Sequence, residues 1–279
     1  MIVIAHRGAS GYAPEHTFAS WDLAAAMGAD YLEQDLQMTR EGILVVMHDE
    51  TLDRTARRNG VPCTGRVIDH TLAELEQCEV GSWFGPTFVD QRVPTLDEVL
   101  KRYPDANFYI ETKNPEEAPG MEENLLQTLA DHGLIEPART EWRVLIQSFS
   151  EASLRKIHAA DPALPLIQLL HRKWETSGSI RRRLESIAEY AVGIGPHFSD
   201  VDAALVETAH EHCLSVHPYT IDDVAEMARL DSLGVDGIFT NFPDRLLATL
   251  PVDEPRGLDA LRLAADAYAR CRRKSAQET

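Results

Sequence analysis

The sequence predicts an α/β protein folded as a (β/α)₈ TIM barrel with a small insertion after the second strand. Strand-like apolar runs alternate with helix-like segments along most of the chain. The runs number eight, at residues 2–6, 31–36, 107–112, 143–148, 164–169, 190–195, 214–219 and 236–240. A chain of 279 residues with 44% hydrophobic content holds one large core, and a barrel of this kind takes about 250 residues.

Residues 2–6 form a continuous apolar run that ends in polar groups, the pattern of a strand buried on both faces. Thr17 is placed to cap a helix over 18–27, and Gly28 to stop it. Further helices are expected at 96–102, 122–132, 151–159, 179–189, 202–212, 222–233 and 244–249. Residues 43–47, after the turn chemistry of Thr39 to Gly42, read as an antiparallel arm folding back on the second strand.

Residues 50–93 are too long for a βα loop, so they should form an excursion over the barrel mouth. Its Trp83, Phe84 and Phe88 are expected to anchor it as a satellite apolar cluster, or else to wall the substrate pocket. The expected organisation is therefore a catalytic barrel over 1–250, with the insertion at about 50–93, then a C-terminal helix and tail over 251–279. Within the last part, 258–269 reads as an amphipathic helix and 272–279 as a disordered tail.

Composition excludes several functions. With 27 Lys plus Arg against 45 Asp plus Glu, the net charge of −18 disfavours nucleic acid and anionic membranes as partners. No run is long enough to span a bilayer. Cys63, Cys78, Cys213 and Cys271 lie far apart without a CxxC pair, which argues against a zinc site or a disulfide framework and suits a reducing cytoplasm. Met1 leads straight into a strand with no basic leader, so the mature chain is expected to begin here. Arg181 to Arg183 read as a solvated helix face.

Chemistry is expected where barrel strands end. Glu33 and Asp35 alternate onto one face of the second strand, and the returning arm brings His48 beside them. The first strand adds His6 and Arg7, and the third adds Glu111 and Lys113. Gln147, His197 and Tyr219 follow on later strands, Gln147 and His197 as weaker pocket candidates. The remaining histidines, 70, 132, 158, 171, 210 and 212, read as surface or helix residues. Taken singly, such residues are often structural, but seven of them converging on one mouth point to a site. Three carboxylates suit a hard divalent cation such as Mg²⁺ or Ca²⁺. Arg7 and Lys113 suit a phosphate, and two histidines can divide general acid and base work in either order.

The strings HRGASGYAPEHT (6–17), LEQDLQMTREG (32–42), VVMHDETLDRT (45–55), VPTLDEVL (93–100), YIETK (109–113), QSF (147–149) and GVDGIFTNFPD (234–244) together resemble the glycerophosphodiester phosphodiesterases. The resemblance runs in order up to about residue 250. It implies a (β/α)₈ barrel with this insertion, a divalent metal on Glu33, Asp35 and Glu111, catalysis by His6 and His48, and phosphate held by Arg7 and Lys113. Glu15 is implied as a site residue of open role. The implied reaction converts glycerophosphocholine, glycerophosphoethanolamine and similar small molecules to glycerol 3-phosphate and an alcohol. The implied route is attack by the substrate's own 2-hydroxyl through a cyclic phosphate.

Two positions depart from the family pattern. His16 stands where Asn is usual, and His217-Pro218-Tyr219-Thr220 lacks the usual Trp before the Thr, leaving Tyr219 as the aromatic wall for the glycerol. Related readings are a phosphodiesterase for lysophospholipids or other glycerol-phosphate diesters, and a phosphate-binding protein on a barrel that has lost its chemistry. The presence of both histidines and all three carboxylates disfavours the second.

Overall fold

Every residue of the first strand, β1 (Ile2–Ala5), is buried, as its unbroken apolar run requires. The structure, a computed structural model, describes residues 1–173 and 180–278. Helix α1 (Phe18–Met27) starts at a capping box, in which the Thr17 side chain accepts from the Ser20 N–H and Ser20 returns a bond to Thr17. It stops at Gly28, whose φ of 88° is left-handed. Strand β2 (Tyr31–Met38) then folds back into β3 (Leu44–Val46), antiparallel, with Leu36 opposite Val46.

The insertion contributes a small hairpin, β4 (Arg57–Arg58) with β5 (Val61–Pro62), and a one-turn helix, α2 (Leu72–Leu75). Val45, Met47, Leu52, Ala56, Val67, Leu75 and their neighbours give it a separate apolar core. Phe84 meets Trp83 and Phe88 edge-to-face, each at 5.7 Å between ring centres.

From α3 (Leu96–Arg102) the alternation resumes with β6 (Phe108–Thr112), α4 (Met121–Asp131), α5 (Ile135–Glu141), β7 (Val144–Ser148) and α6 (Glu151–Ala160). It continues with β8 (Leu166–Leu169), α7 (Ile180–Ile187), β9 (Gly193–Gly195), α8 (Ala203–Glu211), β10 (Ser215–Val216), α9 (Val224–Ser232), β11 (Gly237–Thr240) and α10 (Pro243–Leu247). The chain closes with α11 (Leu258–Glu278).

Eight strands pair in parallel in the order β10-β9-β8-β7-β6-β2-β1-β11, with β3 outside the ring on β2. Between β10 and β11, backbone bonds from Asp236 N to Val216 O (3.0 Å) and Phe239 N to Pro218 O (3.1 Å) continue the seam. This is the predicted barrel. Ile2, Ile4, Tyr31, Tyr109, Leu145, Ile167 and Phe239 fill its interior, and the larger apolar layer lies between strands and helices. Helix α11 crosses the strands' starting ends: Leu261 enters the interior cluster, and Tyr268 packs on Trp142 at 5.8 Å.

Two expectations change. Helix α5 was not among the expected helices; its Pro137 sits in the first turn, where a missing N–H breaks no intrahelical bond. Helix α11 runs to Glu278 instead of giving way to a disordered tail, since residues 270–278 contain neither Gly nor Pro. Ser179, the expected start of α7, and Thr279, the last tail residue, lie outside the described residues.

The cysteines are also corrected. Cys63 pairs with Cys78 inside the insertion, and Cys213 pairs with Cys271, tying α11 to the end of α8. Separations of 15 and 58 residues carry no local signature; the fold alone brings each pair together. Disulfides persist in oxidising surroundings, so the argument from cysteine usage for a reducing compartment is withdrawn. Among the described residues, no helix is long and apolar enough to cross a membrane.

Thiol titration of the unreduced, denatured protein is expected to find no free cysteine. Replacing Cys213 and Cys271 by Ser should lower unfolding free energy by about 4 kcal/mol on loop entropy alone, against about 3 kcal/mol for the shorter Cys63–Cys78 loop, measured by denaturant melts.

Candidate active site

Strand register builds the centre of the site. Glu33 lies opposite Tyr109, Asp35 opposite Glu111, and Glu111 opposite Gln147. Paired residues in a parallel ladder share a face. All of these side chains therefore point into the barrel, at the strand ends where barrel chemistry is found. Glu33, Asp35 and Glu111 are only 1%, 1% and 6% exposed, so water does little to separate their charges.

The loop after β1 answers part of that charge. Arg7 adopts a left-handed φ of 59°, and its backbone N–H donates to Glu33 Oε2 at 2.6 Å. Its guanidinium donates from Nη1 to Glu15 Oε1 (3.1 Å), and Nε stands 3.6 Å from Asp35 Oδ2 with no hydrogen-bond partner of its own. Lys113 Nζ lies 3.1 Å from Glu111 Oε1 and 3.9 Å from Asp35 Oδ1. His16, also left-handed, places Nε2 at 2.7 Å from Asp35 Oδ2.

These neighbours divide the carboxylates. Burial and then the charge of Asp35 push Glu111 up to about 8, with Lys113 opposing. Burial and Asp35 likewise push Glu33 well above the usual carboxylate range. Burial would raise Asp35 too, but Lys113, the His16 hydrogen bond and Arg7 outweigh it and hold Asp35 well below that range. Such a cluster fits a divalent cation: it is buried, acidic, supplied with oxygen donors and under-compensated by its own cations. Ligand atoms of His16, Glu33 and Asp35 also lie within 4.8 Å of one another.

The two histidines have different partners. Asn241 Nδ2 donates to Asp222 Oδ2 (2.7 Å), so its Oδ1 must face His6 Nδ1 at 2.8 Å and accept from it. That fixes the tautomer and leaves a lone pair on His6 Nε2. Burial, then the charge of Arg7, lower His6 to about 3, so the ring is neutral near neutral pH. His48 Nδ1 instead donates to a carboxylate, Asp49 Oδ1, at 2.7 Å. The β2–β3 register and the Met47 N to Asp35 O bond (2.9 Å) deliver His48 to the mouth.

A pocket of about 170 Å³ gathers His6, Arg7, Glu33, Asp35, His48, Glu111, Lys113, Gln147 and Tyr219. Phe149 and Phe239 add apolar wall. Glu15 sits behind Arg7 and His197 behind Tyr219, each one contact from the cavity. The Tyr219 hydroxyl donates to Leu170 O at 2.7 Å, so its tip is committed to backbone and its ring is what the cavity meets. Trp83, Phe84 and Phe88 do not line it. Exposed His171, read from the sequence as peripheral, stacks on Phe149 at 4.3 Å.

Four residues that sequence reasoning did not single out also serve the site. Asp49, Arg54 and Asn241 all fall inside the quoted family strings, whereas Asp222 carries no local signal.

Comparison with known proteins agrees with this geometry. Residues 6–245 match the glycerophosphoryl diester phosphodiesterase family. A glycerophosphodiester phosphodiesterase of Bacillus subtilis (strain 168) is 47% identical over 253 residues, which cover 88% of this chain and 84% of that protein. An Oleispira antarctica phosphodiesterase, solved with its product sn-glycerol-3-phosphate, is 28% identical with a TM-score of 0.77, covering 89% of this chain and 96% of its own. A glycerophosphodiester phosphodiesterase of Agrobacterium tumefaciens str. C58 is 28% identical with a TM-score of 0.73, covering 89% and 99%. Fold and sequence together place the chain in the glycerophosphoryl diester phosphodiesterase family.

Proposed function

We propose that this phosphodiesterase hydrolyses glycerophosphodiesters such as glycerophosphocholine and glycerophosphoethanolamine to glycerol 3-phosphate and an alcohol, with one divalent cation, Mg²⁺ or Ca²⁺, held by Glu33, Asp35 and Glu111. The observation that carries the reading is the convergence of three buried carboxylates, two cationic side chains and two oriented histidines on one small pocket. The all-oxygen donor set favours a hard cation. When bound, such a cation neutralises charge on the phosphoryl oxygens and acidifies a nearby hydroxyl.

Arg7 and Lys113 hold the remaining phosphoryl oxygens, and Glu15 steadies the Arg7 guanidinium. The glycerol 2-hydroxyl attacks phosphorus; being part of the substrate, it needs little further ordering. Its proton passes to His6 Nε2, the nitrogen left free by the Asn241 bond. As the P–O bond to the alcohol breaks, His48 protonates the departing oxygen, its ring held in place by the Asp49 hydrogen bond. Water then opens the cyclic ester with the proton transfers reversed, giving glycerol 3-phosphate. The Tyr219 ring and Phe149 flank the bound group. A lysophospholipid would need an apolar groove at the mouth, and the insertion aromatics stand outside the pocket, so the small diesters are preferred.

The purified protein with glycerophosphocholine and Mg²⁺ or Ca²⁺ should release glycerol 3-phosphate; no product with either metal counts against the reading. His6→Ala and His48→Ala should each lower kcat by about 10²–10⁴-fold. Added divalent cation should raise the melting temperature of the wild type but not of Glu111→Gln, as expected for a ligand that binds only the folded protein. His16→Ala should weaken that cation by about 10- to 100-fold, read by calorimetric titration, because Asp35 loses the donor that orients it.

A further inference from the structure

One side chain of the insertion, Arg54, reaches residues that hold the pocket. Arg54 lies in a turn between buried Leu52 and buried Ala56, both part of the insertion's own core. Its carbonyl accepts from Arg57 Nη2 at 2.9 Å, and Arg57 exchanges two 2.7 Å backbone bonds with Glu79. The Trp83 ring lies 5.6 Å from the Arg54 guanidinium. The turn is thus fixed by the excursion, not by the barrel.

From that turn the guanidinium reaches two carboxylates of the barrel mouth. Arg54 Nη1 and Nη2 donate to Glu15 Oε2 and Oε1 at 2.9 and 2.6 Å. Its Nε and Nη2 donate to Asp49 Oδ2 and Oδ1 at 2.5 and 3.1 Å. Both contacts are two-pronged, which fixes the direction of each carboxylate as well as its distance. Each carboxylate holds a pocket residue on its far side, Glu15 holding Arg7 and Asp49 holding His48. The result is a continuous chain, Arg7–Glu15–Arg54–Asp49–His48, with one guanidinium between two acids that would otherwise repel.

We propose that Arg54 is a positioning residue for the hydrolysis, with which the insertion orients His48 through Asp49 and the phosphate-binding Arg7 through Glu15. The inference rests on His48 acting in the proposed reaction. A surface ion pair that merely stabilises would contribute little and leave turnover alone. This one ends on two side chains of the pocket.

The test compares Arg54→Lys, Arg54→Gln and Arg54→Ala with the wild type on glycerophosphocholine in saturating metal, recording kcat, KM and melting temperature, with His48→Ala alongside. Expected are a kcat about 10- to 100-fold lower in Arg54→Ala and Arg54→Gln, a smaller loss in Arg54→Lys, and partial recovery of Arg54→Ala when free guanidinium is added below denaturing concentration. Asp49→Asn should lose kcat to a similar degree. Wild-type kcat in Arg54→Ala overturns the inference, as does a loss that tracks a lowered melting temperature and is not rescued by guanidinium. Full activity in His48→Ala overturns the parent reading of the mechanism, whatever the Arg54 variants do.

Discussion

Three carboxylates forced together inside a protein set the terms for everything around them. Glu33, Asp35 and Glu111 line one pocket because a parallel ladder aligns their strands residue for residue. Burial then denies them the water that would tolerate such crowding. The neighbourhood reads as a series of answers to that charge. Arg7 brings a backbone N–H and a guanidinium, Lys113 an ammonium, and His16 a ring nitrogen, yet Glu33 and Glu111 remain pushed toward protonation. What is left over is an attraction for a small doubly charged cation.

The left-handed turns follow from the same demand. Arg7 and His16 both occupy backbone conformations that side-chain-bearing residues seldom adopt, at φ 59° and 54°. In return, the loop after β1 wraps so that a backbone N–H, a guanidinium and an imidazole all face β2. Strain of this kind persists where surrounding contacts over-determine it. Here those contacts are the Glu33, Asp35 and Glu15 bonds themselves.

Much of this was legible in the chain. Glu33 and Asp35 announce their shared face by their spacing of two, and His48 its return by the turn at 39–42, because strand alternation and turn chemistry are local rules. The barrel followed from counting alternations. Positions that depend on contacts distant in sequence were illegible. Asp222 reaches His6 only through Asn241, 19 residues further on, and Cys213 meets Cys271 only because α11 lies back across the barrel. Helix α5, only seven residues long, offers too short a pattern to stand out, and its Pro137 sits in the first turn where it does no harm.

Helix α11 gives the molecule a polarity. It crosses the end of the barrel opposite the pocket, is covalently fastened through Cys271, and carries the chain's end with it. The barrel consequently has one working opening and a blind floor.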